Sequence, residues 1–235
     1  MNINSNIRRY LDGRNPEEGV HPESQAASFD YCYNYFQSFR DEKNLELLAS
    51  HENMHQSCLQ IGFFLASWGM YNQNALTKKS VKVYEPLIRY IAGTELALWS
   101  VNVDSYSEEN TWRLLDCEYA IVKILREQGV TLVNGSVSVT LVTKILLGVF
   151  GVIPAFDKHF TAWFAGWRRP TGELWHGREN ARQSLLEIAR FYIENKAAID
   201  RFQIPTLDFE TGNPTGRRYP IAKIVDMIGY IEGRP

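Results

Sequence analysis

The amino-acid sequence predicts an all-α fold of about eight helices in a compact bundle, and three observations carry that prediction. Apolar residues recur at three- and four-residue spacing through most of the 235 residues. Strand-like alternation is weak, and its best stretch, Leu96 to Val103, is short. Aromatic residues make up 13% of the chain, enough burial to offset the entropy of ordering it. No low-complexity linker divides the sequence, so residues 24–235 read as a single all-α domain. A division into two lobes meeting near residues 100–135 is compatible with that pattern.

The first 23 residues are polar and hold Gly13, Pro16, Gly19 and Pro22, which reads as a loose lead-in. From Ser24, the spacing of Phe29, Tyr33 and Phe36 opens a helix. A second helix is expected over about Leu45 to Trp68, with Leu48, Cys58, Ile61, Phe64, Leu65 and Trp68 on its apolar side and Gly69 ending it. A third covers about Ser80 to Ile91, with Pro86 forcing a kink or a late start. Ser107 is placed to cap a fourth, which carries Trp112, Leu115, Tyr119, Val122 and Leu125 and stops at Gly129. The fifth runs from Val139 to Phe150, and a sixth starts after Pro154. Ala181 to Phe202 and Ile221 to Ile231 complete the set, with a polar turn over Leu207 to Gly212 between them. Asp208, Glu210 and Asp226 match no ligand loop and read as solvated surface.

Charge and cysteine usage narrow the function classes. The formal charge of −2 provides no global basic field, so any nucleic-acid contact must come from a local patch. Cys32, Cys58 and Cys117 are scattered, form no CxxC pair and sit in apolar helical contexts, which predicts buried thiols in a reducing compartment. Met1 to Arg9 has no apolar core of a secretory leader, and the longest apolar run, Leu141 to Phe156, is broken by Lys144 and Pro154. The expectation is a cytoplasmic protein with no membrane segment and no cofactor.

Three constellations could carry chemistry. His51-Glu52-Asn53-Met54-His55 is a literal HExxH, which on one helix would set His51 and His55 on a common face to grip Zn²⁺ with Glu52 as general base. No third ligand follows at a familiar interval, so two partly exposed histidines are the plainer reading. Arg169 and His176 have the residue types of helical RNases that pair Arg with His, but Pro170 and Gly172 between them disfavour a continuous helix. The third constellation is residues 129–160: a helix end, the turn Asn134-Gly135-Ser136, an apolar helix, a second Gly turn, and then Pro154-Ala155-Phe156-Asp157 opening another helix.

This last order resembles the central segment of the helix-hairpin-helix DNA glycosylase superfamily. The resemblance implies that Gly135 and Ser136 lie in the hairpin turn that offers amides to a DNA phosphate. It also implies that Asp157 is the carboxylate at the mouth of the base pocket, and that Lys144 is the lysine near where bifunctional members keep a nucleophile. DNA is the implied partner. A carboxylate there can stabilise the sugar cation left when a base departs, or activate water. Such an enzyme must extrude its base into a pocket with aromatic walls. Phe156, Phe160, Trp163 and Trp167 flank Asp157 at helical spacing, and Trp68 at its Gly turn offers a further stacking surface or a core anchor. Arg168, Arg169, Arg178 and Arg182 form a local basic cluster suited to phosphate. The plainer reading makes 141–150 a core helix and Asp157 the N-cap of the next one.

The blocks 27–36, 64–70 and 154–157 also resemble those of a bacterial family of uncharacterised activity. Two alternatives stand beside the glycosylase-like reading. One is a non-catalytic helical DNA- or protein-binding module, and the other is a metal-dependent hydrolase built on His51, Glu52 and His55.

Overall fold

The computed structural model describes residues 1–72, 75–168, 175 and 177–235. Ten α-helices and one two-stranded hairpin are found among them, so the chain is mostly α.

The amino-terminal stretch opens with a helix. Helix α1 (Ile3–Tyr10) starts where Asn2 accepts a hydrogen bond from the Ser5 amide at 3.0 Å. Its Ile3 and Ile7, followed by Leu11, are buried. Helix α2 (Ala27–Asp41) buries Phe29, Tyr33 and Phe36, the predicted stripe, and Cys32 beside them. The expected continuous helix from 45 to 68 is broken. A 3-10 turn covers Leu45–Ala49, residues 51–53 form a turn, and α3 (Met54–Ser67) begins only after it.

Residues Val81–Tyr84 form another 3-10 turn that leads into α4 (Glu85–Ala92), with Pro86 in its first turn, where no amide is missed. The strand-like stretch at Leu96 is instead the short helix α5 (Leu96–Trp99). Helix α6 (Glu108–Glu127) starts at the predicted Ser107 cap, which accepts from the Asn110 amide at 3.1 Å, and Gly129 ends it at φ +66°.

The predicted helix from Val139 to Phe150 changes pitch midway. Helix α7 (Val139–Ile145) gives way to a π-helical turn over Leu146–Phe150, closed by Gly151 in the left-handed region. A Cβ at Gly151 would lie 2.7 Å from the Tyr33 ring and 2.8 Å from Pro220, so conformation and space both demand glycine. Buried Gln37 of α2 donates to the Val149 carbonyl at 2.9 Å, supplying a partner that the altered ladder leaves over.

Helices α8 (Lys158–Arg168), α9 (Arg178–Ile199) and α10 (Ile221–Glu232) follow. Strands β1 (Pro205–Leu207) and β2 (Pro214–Arg218) pair antiparallel between α9 and α10, with an irregular register between Pro205 and Leu207. Helix α10 is apolar on nearly every side, the signature of a helix enclosed by others. It packs on α8, α1 and α9, and the core is one continuous cluster that reaches from Ile3 to Ile228. Cys32, Cys58 and Cys117 are buried free thiols within it. No helix among the described residues is long and apolar enough to cross a membrane.

Candidate functional site

The segment 154–157 is fixed from two sides. On α7, Thr143 Oγ1 accepts from the Phe156 amide at 2.9 Å, and Thr140 Oγ1 donates to the Phe156 carbonyl at 2.8 Å. On α10, Asp226 Oδ1 accepts from the Ala155 amide at 3.0 Å. This clamp sets Asp157 at the start of α8, where Oδ1 accepts from the His159 and Phe160 amides, each at 2.9 Å. Asp157 is therefore an N-cap, as one of its two readings expects. Its other oxygen, Oδ2, lies 3.8 Å from Lys144 Nζ. Lys144 and Asp157, 13 positions apart in sequence, thus meet as an ion pair whose side chains are 6% and 15% exposed.

The indole of Trp68 joins them. Lys144 Nζ lies 4.6 Å from its ring centroid, and Lys223 Nζ of α10 lies 5.5 Å from the same ring. Lys223 donates to Asp226 Oδ2 at 2.9 Å and to the Tyr10 hydroxyl at 2.8 Å. The two lysines answer burial differently. Burial lowers Lys144, and the Lys223 charge adds to this, against the weaker hold of Asp226 and Asp157. Burial also acts on Lys223, but Asp226 and the Tyr10 oxygen together overcome it and hold its proton more firmly than in water. The result is one committed ammonium beside one lysine that gives up its proton more readily. Trp68 Nε1 is buried and has no hydrogen-bond partner among the described residues. Its ring meets Tyr230 edge to face at 5.8 Å.

The aromatic residues assigned to a base pocket form a closed cluster. Phe160 is wholly buried, and Phe156 and Trp163 nearly so. Phe156 stacks with Phe160 at 5.0 Å and with Trp175 at 4.4 Å, both tilted. Trp167 extends the cluster by stacking on Trp163 at 6.3 Å.

The other predicted residues lie apart from this centre. Gly135 adopts φ +77° at the tip of the loop between α6 and α7. Its amide bonds to the Leu132 carbonyl at 2.9 Å, and the Ser136 amide bonds to Asn134 Oδ1 at 3.1 Å, so both are engaged within the turn. Arg178 pairs with Asp116, and Arg182 with Glu179 at 3.1 Å and Glu108 at 3.6 Å. Both guanidinium groups lie over Trp112, at 5.1 and 5.5 Å. They staple α9 to α6, and the neighbouring acids offset their charge. Arg168 ends α8, while Arg169 and His176, and with them the Arg–His pairing, lie outside the described residues.

The HExxH geometry is corrected. His51 sits in the turn before α3 and His55 in its first turn, so the two do not share one helical face. Among the described residues no three His, Cys, Asp or Glu side chains converge on a metal-sized site.

Asp226, expected to be solvated, is 7% exposed and fully engaged. The signal for this was present: Lys223 and Asp226 stand three apart within the run Ile221 to Ile228, whose other residues are Ile, Ala, Val and Met, where charges persist only as a pair. Tyr10 carried no such signal, because its partner lies 213 residues away. Comparison with protein-family models, curated proteins and solved structures finds no match.

Proposed function

We propose that Lys144 and Asp157 form the reactive centre of a nucleic-acid-acting enzyme of the base-excision kind. The observation that carries this reading is their meeting as a nearly buried pair beneath Trp68. The order of α6, turn, α7, Gly151 turn and Asp157 at the head of α8 supports it, as does the lowered proton affinity of Lys144.

In this reading the departing base takes the electron pair of its bond to the sugar, leaving positive charge on the sugar carbon. The Asp157 carboxylate stabilises that charge, water or the neutral Lys144 amine then gives its lone pair to the carbon, and the proton that it sheds passes to the departed base. Two amides and the α8 N-terminus hold Asp157 Oδ1 in place, which fixes the carboxylate at the head of that helix.

A second reading is a non-catalytic helical binding module, in which the pair is structural. The bonding of the hairpin amides within their own turn and the acid partners of Arg178 and Arg182 favour it, since a phosphate would have to displace those contacts.

Two measurements separate these readings. Fluorescence anisotropy with duplex and single-stranded DNA at two salt concentrations should show salt-sensitive binding. Base release should then fall at least about 100-fold in Asp157→Asn, which keeps the cap because Asn and Asp cap almost equally well. Absence of DNA binding at low salt discards the nucleic-acid reading. Unchanged base release in Asp157→Asn discards Asp157 as the catalytic carboxylate.

A further inference from the structure

The two histidines of the HExxH sequence take part in a different arrangement. Both line a cavity of about 690 Å³ between the turn before α3 and the start of α4, and none of its lining residues belongs to the Lys144–Asp157 centre. The cavity also holds Lys82, Glu85 and Arg89. Glu85, its one acid, is already held by Lys82 at 2.9 Å. Arg89 is exposed and makes no ion pair or hydrogen bond among the described residues. Arg89 and Lys82 share the single charge of Glu85, so the cavity that also holds the two imidazoles keeps a net positive charge. A metal cation is disfavoured there, because no three metal-ligating side chains converge among the described residues and the net positive charge of the cavity repels it.

The remaining walls are of a different kind. Met54, Val81, Ala49 and the buried thiol of Cys58 give the cavity an apolar side. Burial raises the Cys58 thiol to about 11, so it acts here as a hydrophobe and not as a nucleophile. Helix α3 opens beside the basic groups with no side-chain cap and no acid in its first turn, which adds to the preference for an anion.

We infer that this cavity binds a small phosphomonoester carrying a flat apolar moiety, with the phosphate on Arg89, His51 and His55 and the ring on Met54 and Val81. Its volume falls within the range usual for ligand sites of that size. Guanidinium is matched to phosphate oxygens, and imidazole N–H groups supply further donors. The polarisable Met54 thioether suits the edge of an aromatic ring.

Isothermal titration of the whole chain with adenosine monophosphate, adenosine, inorganic phosphate and Zn²⁺ tests this. Adenosine monophosphate should bind at one site, more tightly than adenosine or phosphate alone. Arg89→Gln should weaken it roughly tenfold or more, the loss of one charged hydrogen-bonding partner. His51→Ala with His55→Ala should weaken it further, and none of these exposed positions supports the core. The proposal falls if no binding is detected at roughly 5 mM, where a Kd of 1 mM would still register. It falls equally if Arg89→Gln binds as the unaltered chain does, if adenosine binds as well as its phosphate, or if Zn²⁺ binds one-to-one and loses its site in His51→Ala.

Discussion

Asp30 shows how a single buried carboxyl can govern stability against pH. It is wholly buried on α2, where its two oxygens accept from the Tyr219 hydroxyl at 2.6 Å and the Leu207 amide at 2.9 Å. Burial outweighs both hydrogen bonds and the Lys223 charge, and pushes the carboxyl up to about 7. The folded chain therefore holds this proton more tightly than the unfolded chain, whose Asp titrates near 3.8. Stability from this group is complete below about 4, falls as pH rises through the window from about 4 to 7, and is flat above it. Asp30→Asn mimics the neutral form across that window. Thermal melts of both proteins at several pH values should show the unaltered chain losing ground to the variant from pH 4 to 7. Parallel melting curves would discard the raised carboxyl.

At the scale of elements, the setting of the Lys144–Asp157 pair depends on how α8 and α10 approach each other. Gly229 of α10 makes the contact possible, since a Cβ there would lie 2.5 Å from the Phe160 ring and 2.6 Å from Trp163. Both rings are packed among other aromatics and have little freedom to move. Gly229→Ala should cost about 1–3 kcal/mol despite the better helix propensity of Ala, read as a lower denaturation midpoint in urea. A neutral or stabilising effect would show that the two helices can separate freely.

The π-helical turn after α7 is the second such device. Gln37→Ala would leave the buried Val149 carbonyl without its side-chain donor, at a cost of about 1–3 kcal/mol. The same denaturation series measures it, and an unchanged midpoint would show that this carbonyl finds another partner. Neither device was legible beforehand. The periodicity of Val139 to Phe150 is helical, but a local pattern holds no record of the Gln37 amide that arrives from 112 positions away.

The whole molecule is closed by its first helix. Helix α1 packs on α10 with Ile3 and Ile7 buried, Asn6 donates to Glu232 at 2.8 Å, and Tyr10 accepts from Lys223. Removing residues 1–12 would bare one side of α10 and strip Lys223 of one of its two partners. We expect a loss of more than about 3 kcal/mol, seen as a large fall in melting temperature or as loss of a cooperative transition. A truncated chain that melts as the full chain does would make α1 an ornament of the fold.

The sequence by itself determined the class of the fold and most of its helices. Apolar spacing, the Ser107 cap and the stops at Gly69 and Gly129 are local, and each acts within a few residues of where it is written. It also marked Lys144, Asp157 and Trp68 as residues of interest, each for its own reason. Tertiary structure decided that these three meet, that Arg178 and Arg182 turn to acids on α6 and α9, and that the HExxH histidines part at a turn. It also decided that a charged pair on the last helix is buried against a tyrosine of the first. Helix formation is a matter of hydrogen bonds four residues apart, whereas the partner of a buried charge is set by which helix faces share a core. That pairing is a property of the packed whole and leaves no period in the chain.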